Sequence, residues 1–376
     1  DVVDGVEVDE ALVGREEPVA GRVVPERLPR ELETARRRKV GVDAVVADAH
    51  EARERGAERR GRYEAREHGL HDLEAFVLND VGRAYAGAGR TDEAFAAFEQ
   101  ASRLWQQMGN EPMLADVLGI WSQGLLLRGD LNGAEQTARR GLAVAQRIGN
   151  QWALALNSFS LAYAQLERGY FGEAIGLFWT AAELALRAGF QGPGATIPVV
   201  LAWSLGGLGA PDYGRERLEA IIVRSEAERQ FPVMWHLWRL IRRYLDGDAA
   251  GAFEMAAGLK LPPLFASGQE GVITAFALPT VAVAAGHPDK ALALVDEVLA
   301  EIEPTDFAGL RDDAYQTRGD ALRALGRNEE ALAAYRLALD EARRQGARHV
   351  EWRALAALSE LEPDPATAAA YRAQSA

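Results

Sequence analysis

His68 and His71, with Asp72 alongside, are the one histidine pair spaced to share a metal ion. They fall where one helix is expected to end and the next to begin, and a solvated polar turn accounts for them. Asp312, Asp313 and Asp320 offer carboxylates for acid–base work or for a hard cation. Asp312 and Asp313 also open a helix, where carboxylates meet the positive end of the helix dipole, so a capping role is expected of them. Ser204–Leu205–Gly206–Gly207–Leu208–Gly209 is glycine-rich like a cofactor loop, but no strand precedes it and it reads as a loosened interhelical turn. His236, in a tryptophan-rich helix, is expected to be partly buried and hydrogen-bonded.

The remaining chemistry is mostly excluded. A phosphate-binding loop needs lysine directly after glycine, whereas Lys39, Lys260 and Lys290 follow Arg38, Leu259 and Asp289. There is no cysteine, which removes disulfides, thiol nucleophiles and cysteine-based zinc sites together. No G-x-S-x-G nucleophile elbow occurs. The expectation is therefore a protein that is not an enzyme and needs no cofactor or metal. A net charge of −14 argues against direct nucleic-acid contact, which needs a surplus of Lys and Arg. No uncharged apolar run is long enough to span a bilayer, so no membrane role is expected. The lack of cysteine fits a reducing compartment, and a cytoplasmic location is the expectation. The chain opens on Asp1 rather than Met, so a longer parent polypeptide is anticipated.

The elements that would position any site are set by a repeat. Gly89, Gly129, Gly169 and Gly209 fall 40 residues apart, and spacings of 38, 39 and 40 continue the series through Gly247, Gly286 and Gly326. Five residues after each glycine stands a small residue: Ala94, Ala134, Ala174, Gly214, Ala252, Ala291 and Ala331. Within one unit, Leu78, Val81, Gly82 and Tyr85 form the apolar stripe of an amphipathic helix, which Gly89 ends. Thr91 or Asp92 is expected to cap the next helix, whose inner face carries Ala94, Phe98 and Ala101.

Leu78–Gly82–Tyr85–Gly89–Ala94–Phe98–Ala101 resembles the tetratricopeptide signature, repeated as Gly319–Gly326–Ala331–Tyr335–Ala338. Leu161, Ala162, Gly169, Ala174, Phe178 and Ala181 form a third copy. A period near 40, against about 34 for the usual repeat, is similar to the long-period variety in bacterial transcription regulators and signal-transduction ATPases. Leu12–Val13–Gly14–Arg15–Glu16 also resembles the opening of such an ATPase module, though no nucleotide loop follows. The resemblance implies an all-α, right-handed superhelical solenoid of about seven to eight helix pairs.

The organisation expected is an extended or partly ordered lead-in with a short helix over 1–41 and a front array over 42–257, opening with a charged helix at 42–68. An irregular joint over 258–270 and rear units with capping helices over 271–376 follow. Pro279 is expected to kink its helix. The resemblance further implies that the first helix of each unit lines the concave face. Carried over residue by residue, that face would hold Asn79, Arg83, Gln123, Phe159, Tyr163, Trp203, Trp238 and Phe276, with Arg239 and Arg242 close by. Aromatic residues with a few arginines are what recognition hot spots contain. Core packing is the alternative for Trp203 and Trp238, and is expected for Trp121, Trp179 and Trp352. The resulting expectation is a protein- or peptide-interaction scaffold. The alternative is a sensor domain with a small-molecule effector: a closed chamber would favour the sensor, an open groove the scaffold.

Overall fold

The computed structural model describes residues 71–256 and 269–375. The chain divides into two units, Asp1–Arg60 and Gly61–Ala376, and all described residues belong to the second. The lead-in, the charged helix expected at 42–68 and all but the last two residues of the joint lie outside the described residues.

The described residues form α-helices joined by tight turns, with no strand among them. In chain order they are α1 (His71–Gly87), α2 (Thr91–Gln107), α3 (Glu111–Arg128), α4 (Leu131–Ile148), α5 (Gln151–Glu167) and α6 (Phe171–Arg187). Next come α7 (Gln191–Gly207), α8 (Arg215–Arg224), the single turn α9 (Ala227–Gln230), α10 (Pro232–Leu245) and α11 (Ala249–Ala256). After the undescribed segment come α12 (Gln269–Ala284), α13 (Pro288–Ile302), a 3-10 turn at Ala308–Leu310, α14 (Arg311–Ala324), α15 (Asn328–Gln345), α16 (Arg348–Leu361) and α17 (Pro365–Ser375). Counting α8 and α9 as one split second helix, these make eight pairs in an all-α repeat solenoid.

Most of the turns close on a left-handed glycine. At Gly129 (φ 83°) the chain enters the left-handed region that only glycine reaches without cost. Its N–H donates to the Leu126 carbonyl at 3.0 Å and that of Asp130 to the Leu125 carbonyl at 2.9 Å, the Schellman closure of a helix end. Asp130 then caps α4 by accepting the Gly133 N–H at 2.8 Å. The inter-unit turns at Gly109, Gly149 and Gly189 use the same left-handed geometry, so between Gly89 and Gly209 a turn recurs every half period.

Packing within a pair depends on one small residue facing one ring. A Cβ on Gly82 would lie 2.6 Å from the Phe98 ring, and one on Gly319 would lie 2.4 Å from Tyr335. Ala162, fully buried, occupies the equivalent place before Phe178. Surface pairs between neighbouring helices, such as Arg128–Asp92 at 2.7 Å and Arg147–Glu111 at 2.7 Å, repeat along the outside. Exposed pairs of this kind contribute about 0–1 kcal/mol each, so the cores carry the stability.

Several local expectations need correction. Arg90 occupies the N-cap of α2 without a side-chain cap; Thr91 lies inside the helix, buried, and bonds Asp306 instead. Asp92 sits in the first turn and pairs with Arg128. Trp352 does not pack in the core: it is 51% exposed, whereas Trp179 is buried.

The array also closes on itself. The connection between α13 and α14 and the start of α16 return to the turns of the first three pairs. Asp306 donates its backbone N–H to the Gly89 carbonyl at 3.4 Å and accepts the Thr91 hydroxyl at 3.1 Å. Gln345 donates to the Ala308 carbonyl at 2.7 Å, while its side chain crowds Gly129. Leu131 shares a small core with Ala342, Ala347 and Val350, and the Phe171 and His349 rings meet edge to face at 6.1 Å. This seam brings rear units against front units.

Candidate functional site

The first helices of pairs two to eight present one face each to a common, partly enclosed chamber of about 480 Å³. Helical spacing explains how each contributes: Tyr163 and Glu167 on α5, Asp313 and Thr317 on α14, and His349 and Arg353 on α16 are all i, i+4 pairs. Val200, Trp203 and Gly207 from α7 and Val272, Phe276 and Thr280 from α12 follow the same rule. Gln123, Leu126 and Leu127 come from α3, Tyr244 and Leu245 from α10. Gly309 and Leu310 of the seam close one side.

Four residues inferred for the concave face line this chamber: Gln123, Tyr163, Trp203 and Phe276. The others lie elsewhere. Phe159 is buried against Tyr163 and Phe178, with ring centroids 5.1 and 5.9 Å away. Trp238 is 5% exposed and belongs to the core. Asn79 is buried in α1, while Arg83 and Arg239 are exposed. Arg242 is buried, donating to the Pro211 carbonyl at 2.7 Å and to Asp246 at 3.1 Å, so its charge is spent on the turn after α7 and on its own helix end. His236 reaches the Met255 carbonyl at 3.3 Å. His71 opens α1 exposed, and His68 lies outside the described residues. Among the described residues no cluster of three or more His, Asp or Glu side chains could hold a metal.

The chamber's polar wall is a set of titratable groups from α5, α14 and α16. Arg353 bonds Asp313 at 2.8 Å and reaches Asp320 at 4.0 Å. Glu167 stands 4.0 Å from Nδ1 of His349, a nitrogen that has no hydrogen-bond partner. Burial pushes the Glu167 carboxyl up to about 8; Asp313 adds to the effect and Arg353 opposes it. Burial, with Asp313 and Glu167 nearby, also holds Asp312 well above the usual carboxylate range. Burial depresses His349, which favours its neutral form. Tyr163 is pushed up by burial and by Glu167, and Asp320 is raised by burial against the pull of Arg353 and Tyr335.

Asp312 and Asp313 both stand in the first turn of α14, where carboxylates meet the positive end of the helix dipole, although neither is the N-cap residue. Leu310 is the N-cap of α14, and Asp312, nearly fully buried, accepts the backbone N–H of Asp313 at 2.9 Å. Asp313 instead turns its charge to Arg353. The residues that reading by repeat position missed are Glu167, Tyr244, His349 and Arg353. Glu167 follows the inward-facing Tyr163 by one helical turn, a signal that was present; the α16 pair meets it only through closure of the array.

A model of a tetratricopeptide repeat-like domain matches residues 267–359. The helix pairs before that stretch share its turn and packing geometry, and the chain is a tetratricopeptide-type helical repeat protein. A comparison with curated protein sequences finds no match. Among the described residues no helix is long and apolar enough to cross a membrane.

Proposed function

We propose that this protein is a non-catalytic sensor module that holds a small molecule, or the end of a peptide, in the chamber enclosed by its superhelix. The observation that carries this reading is the chamber itself. It has a volume within the range of small-molecule sites, aromatic and aliphatic walls, and a few converging polar groups. A scaffold holding a long peptide would want an open groove, whereas here the seam from Asp306 to Val350 crosses it. Ligand bound against both sides of the seam would favour the closed array, which gives occupancy a means of altering the outer surface. A regulatory role follows from this reading.

The test is a thermal-shift screen of the full chain against pooled metabolites and short peptides, repeated with Trp203→Ala. A ligand that raises the melting temperature of the parent and not of the variant supports the chamber. Ligands that act equally on both would move the site elsewhere.

A further inference from the structure

We infer that the chamber selects an organic cation with an apolar body, its ammonium or amidinium group set against Glu167 and its body along Trp203 and Phe276. The inference rests on the chamber being the binding site and names what it takes.

Charge balance in the wall is the first argument. Among the described residues Arg353 is the one cation lining the chamber, and its guanidinium is already committed to Asp313, with Asp320 beyond. Among the described residues no donor makes a hydrogen bond to Glu167, and the neutral imidazole of His349 stands 4.0 Å away. The side chain is 23% exposed, and the surface it shows faces the chamber. Arg353 acts on this carboxyl only from a distance, so among the described residues it has no cation in direct contact.

The backbone points the same way. The last turns of α3, α5, α7 and α10 end at the chamber, contributing Leu127, Glu167, Gly207 and Leu245. Helix C-termini carry the negative end of the dipole and favour cations. The N-terminal turn of α14 brings Asp312 and Asp313 with it and that of α16 brings Glu351, which offsets their positive ends. Trp203 and Tyr244, with ring centroids 6.0 Å apart, add π faces that attract a cation and cover an apolar body.

Three probes share one carbon skeleton and differ in charge: 4-phenylbutylamine, 4-phenylbutanol and 4-phenylbutyrate. Calorimetric titration into the full chain is expected to rank the amine about tenfold or more above the alcohol, with the carboxylate weakest. Glu167→Gln should remove the amine's advantage and leave the alcohol unchanged, with circular dichroism confirming that the variant folds. The parent alone provides a second readout. The amine should bind more tightly as pH rises from 6 to 9, because Glu167 must give up its proton while an alkylammonium keeps its own, as lysine does. The charged and titratable groups facing Glu167 are Asp312, Asp313 and Arg353 from α14 and α16, His349, and Tyr163 on its own helix. Equal binding of amine and alcohol, or preference for the carboxylate, in a complex that Trp203→Ala weakens would overturn the cation inference and leave the chamber standing. Failure of all three probes to bind would overturn both.

Discussion

Gly309 lies flat against the carbonyl of Leu126: a Cβ at this position would come within 2.0 Å of that oxygen and 2.9 Å of the Gly129 nitrogen. Both neighbours are backbone at a helix end, so neither can step aside as a side chain would. The seam between the rear and front units therefore depends on the absence of one methyl group. Gly309→Ala is expected to lower stability by about 1–3 kcal/mol, the usual cost of overpacking, and to loosen the closed array. Thermal melting and small-angle scattering would test this; an unchanged melting temperature with an unchanged radius of gyration would show that the contact does not constrain closure.

Glu167 should make stability fall as pH rises. Its carboxyl is raised from 4.5 to about 8, so the fold favours the protonated form. Below about pH 4.5 both folded and unfolded chains hold the proton, and the full stability is present. Between there and pH 8 the unfolded chain releases it while the folded chain retains it, and stability is lost progressively. Glu167→Gln mimics the protonated form at every pH. Its melting temperature should match the parent near pH 4 and exceed it increasingly towards pH 8 to 9. Asp320 titrates in both proteins, while Asp312 loses the contribution of Glu167 in the variant, so the difference between the two curves reports Glu167 together with its effect on Asp312. A constant difference across that range would contradict the assignment.

Asn157 and Gly141 form a second close contact, in the front core. The Asn157 amide donates to the Ala115 carbonyl at 2.9 Å and the Ala153 carbonyl at 2.8 Å, in a fully buried position. A Cβ on Gly141 would sit 1.9 Å from its Oδ1. Gly141→Ala should therefore displace the amide and cost about 1–3 kcal/mol through its lost hydrogen bonds. Asn157→Ser in the same chain frees that space, so the double variant should lose less than the sum of the two single changes. Additive losses would indicate that the two positions do not interact.

The repeat was legible because its signals are local. Gly89 and Gly129 announce the turns, and Gly82 with Phe98 sets how closely two helices approach, all within one unit. Those signals also gave the inward faces of α3, α5, α7 and α12, hence Gln123, Tyr163, Trp203 and Phe276. The seam was not legible. Gly309 reaches Leu126, and His349 reaches Glu167, only after the rotation from pair to pair has accumulated around the array, and no residue spacing encodes that sum. The register of the fifth pair was also obscured, because α10 and α11 are shorter than their counterparts; this is how Trp238 came to be assigned to the concave face.

Trp203 and Trp238 should differ sharply when truncated, and the difference separates chamber from core. Trp238 is 5% exposed and belongs to the largest apolar cluster of the protein, which also holds Met234, Leu237 and Ile241. Removing its ring leaves a cavity that surrounding helices can only partly fill, at about 3–5 kcal/mol. Trp203 is half-buried and borders space that is already open, so its loss removes packing against Tyr244 without creating a new void in the core. About 1–2 kcal/mol is expected for Trp203→Ala, from the apolar area it covers. Urea titrations followed by circular dichroism would give both values. The two tryptophans also predict opposite optical behaviour: an occupant of the chamber should change the emission attributable to Trp203 and leave that of Trp238 alone. If Trp203→Ala proved the more destabilising of the two, Trp203 would be a core residue and the chamber would lose its aromatic wall.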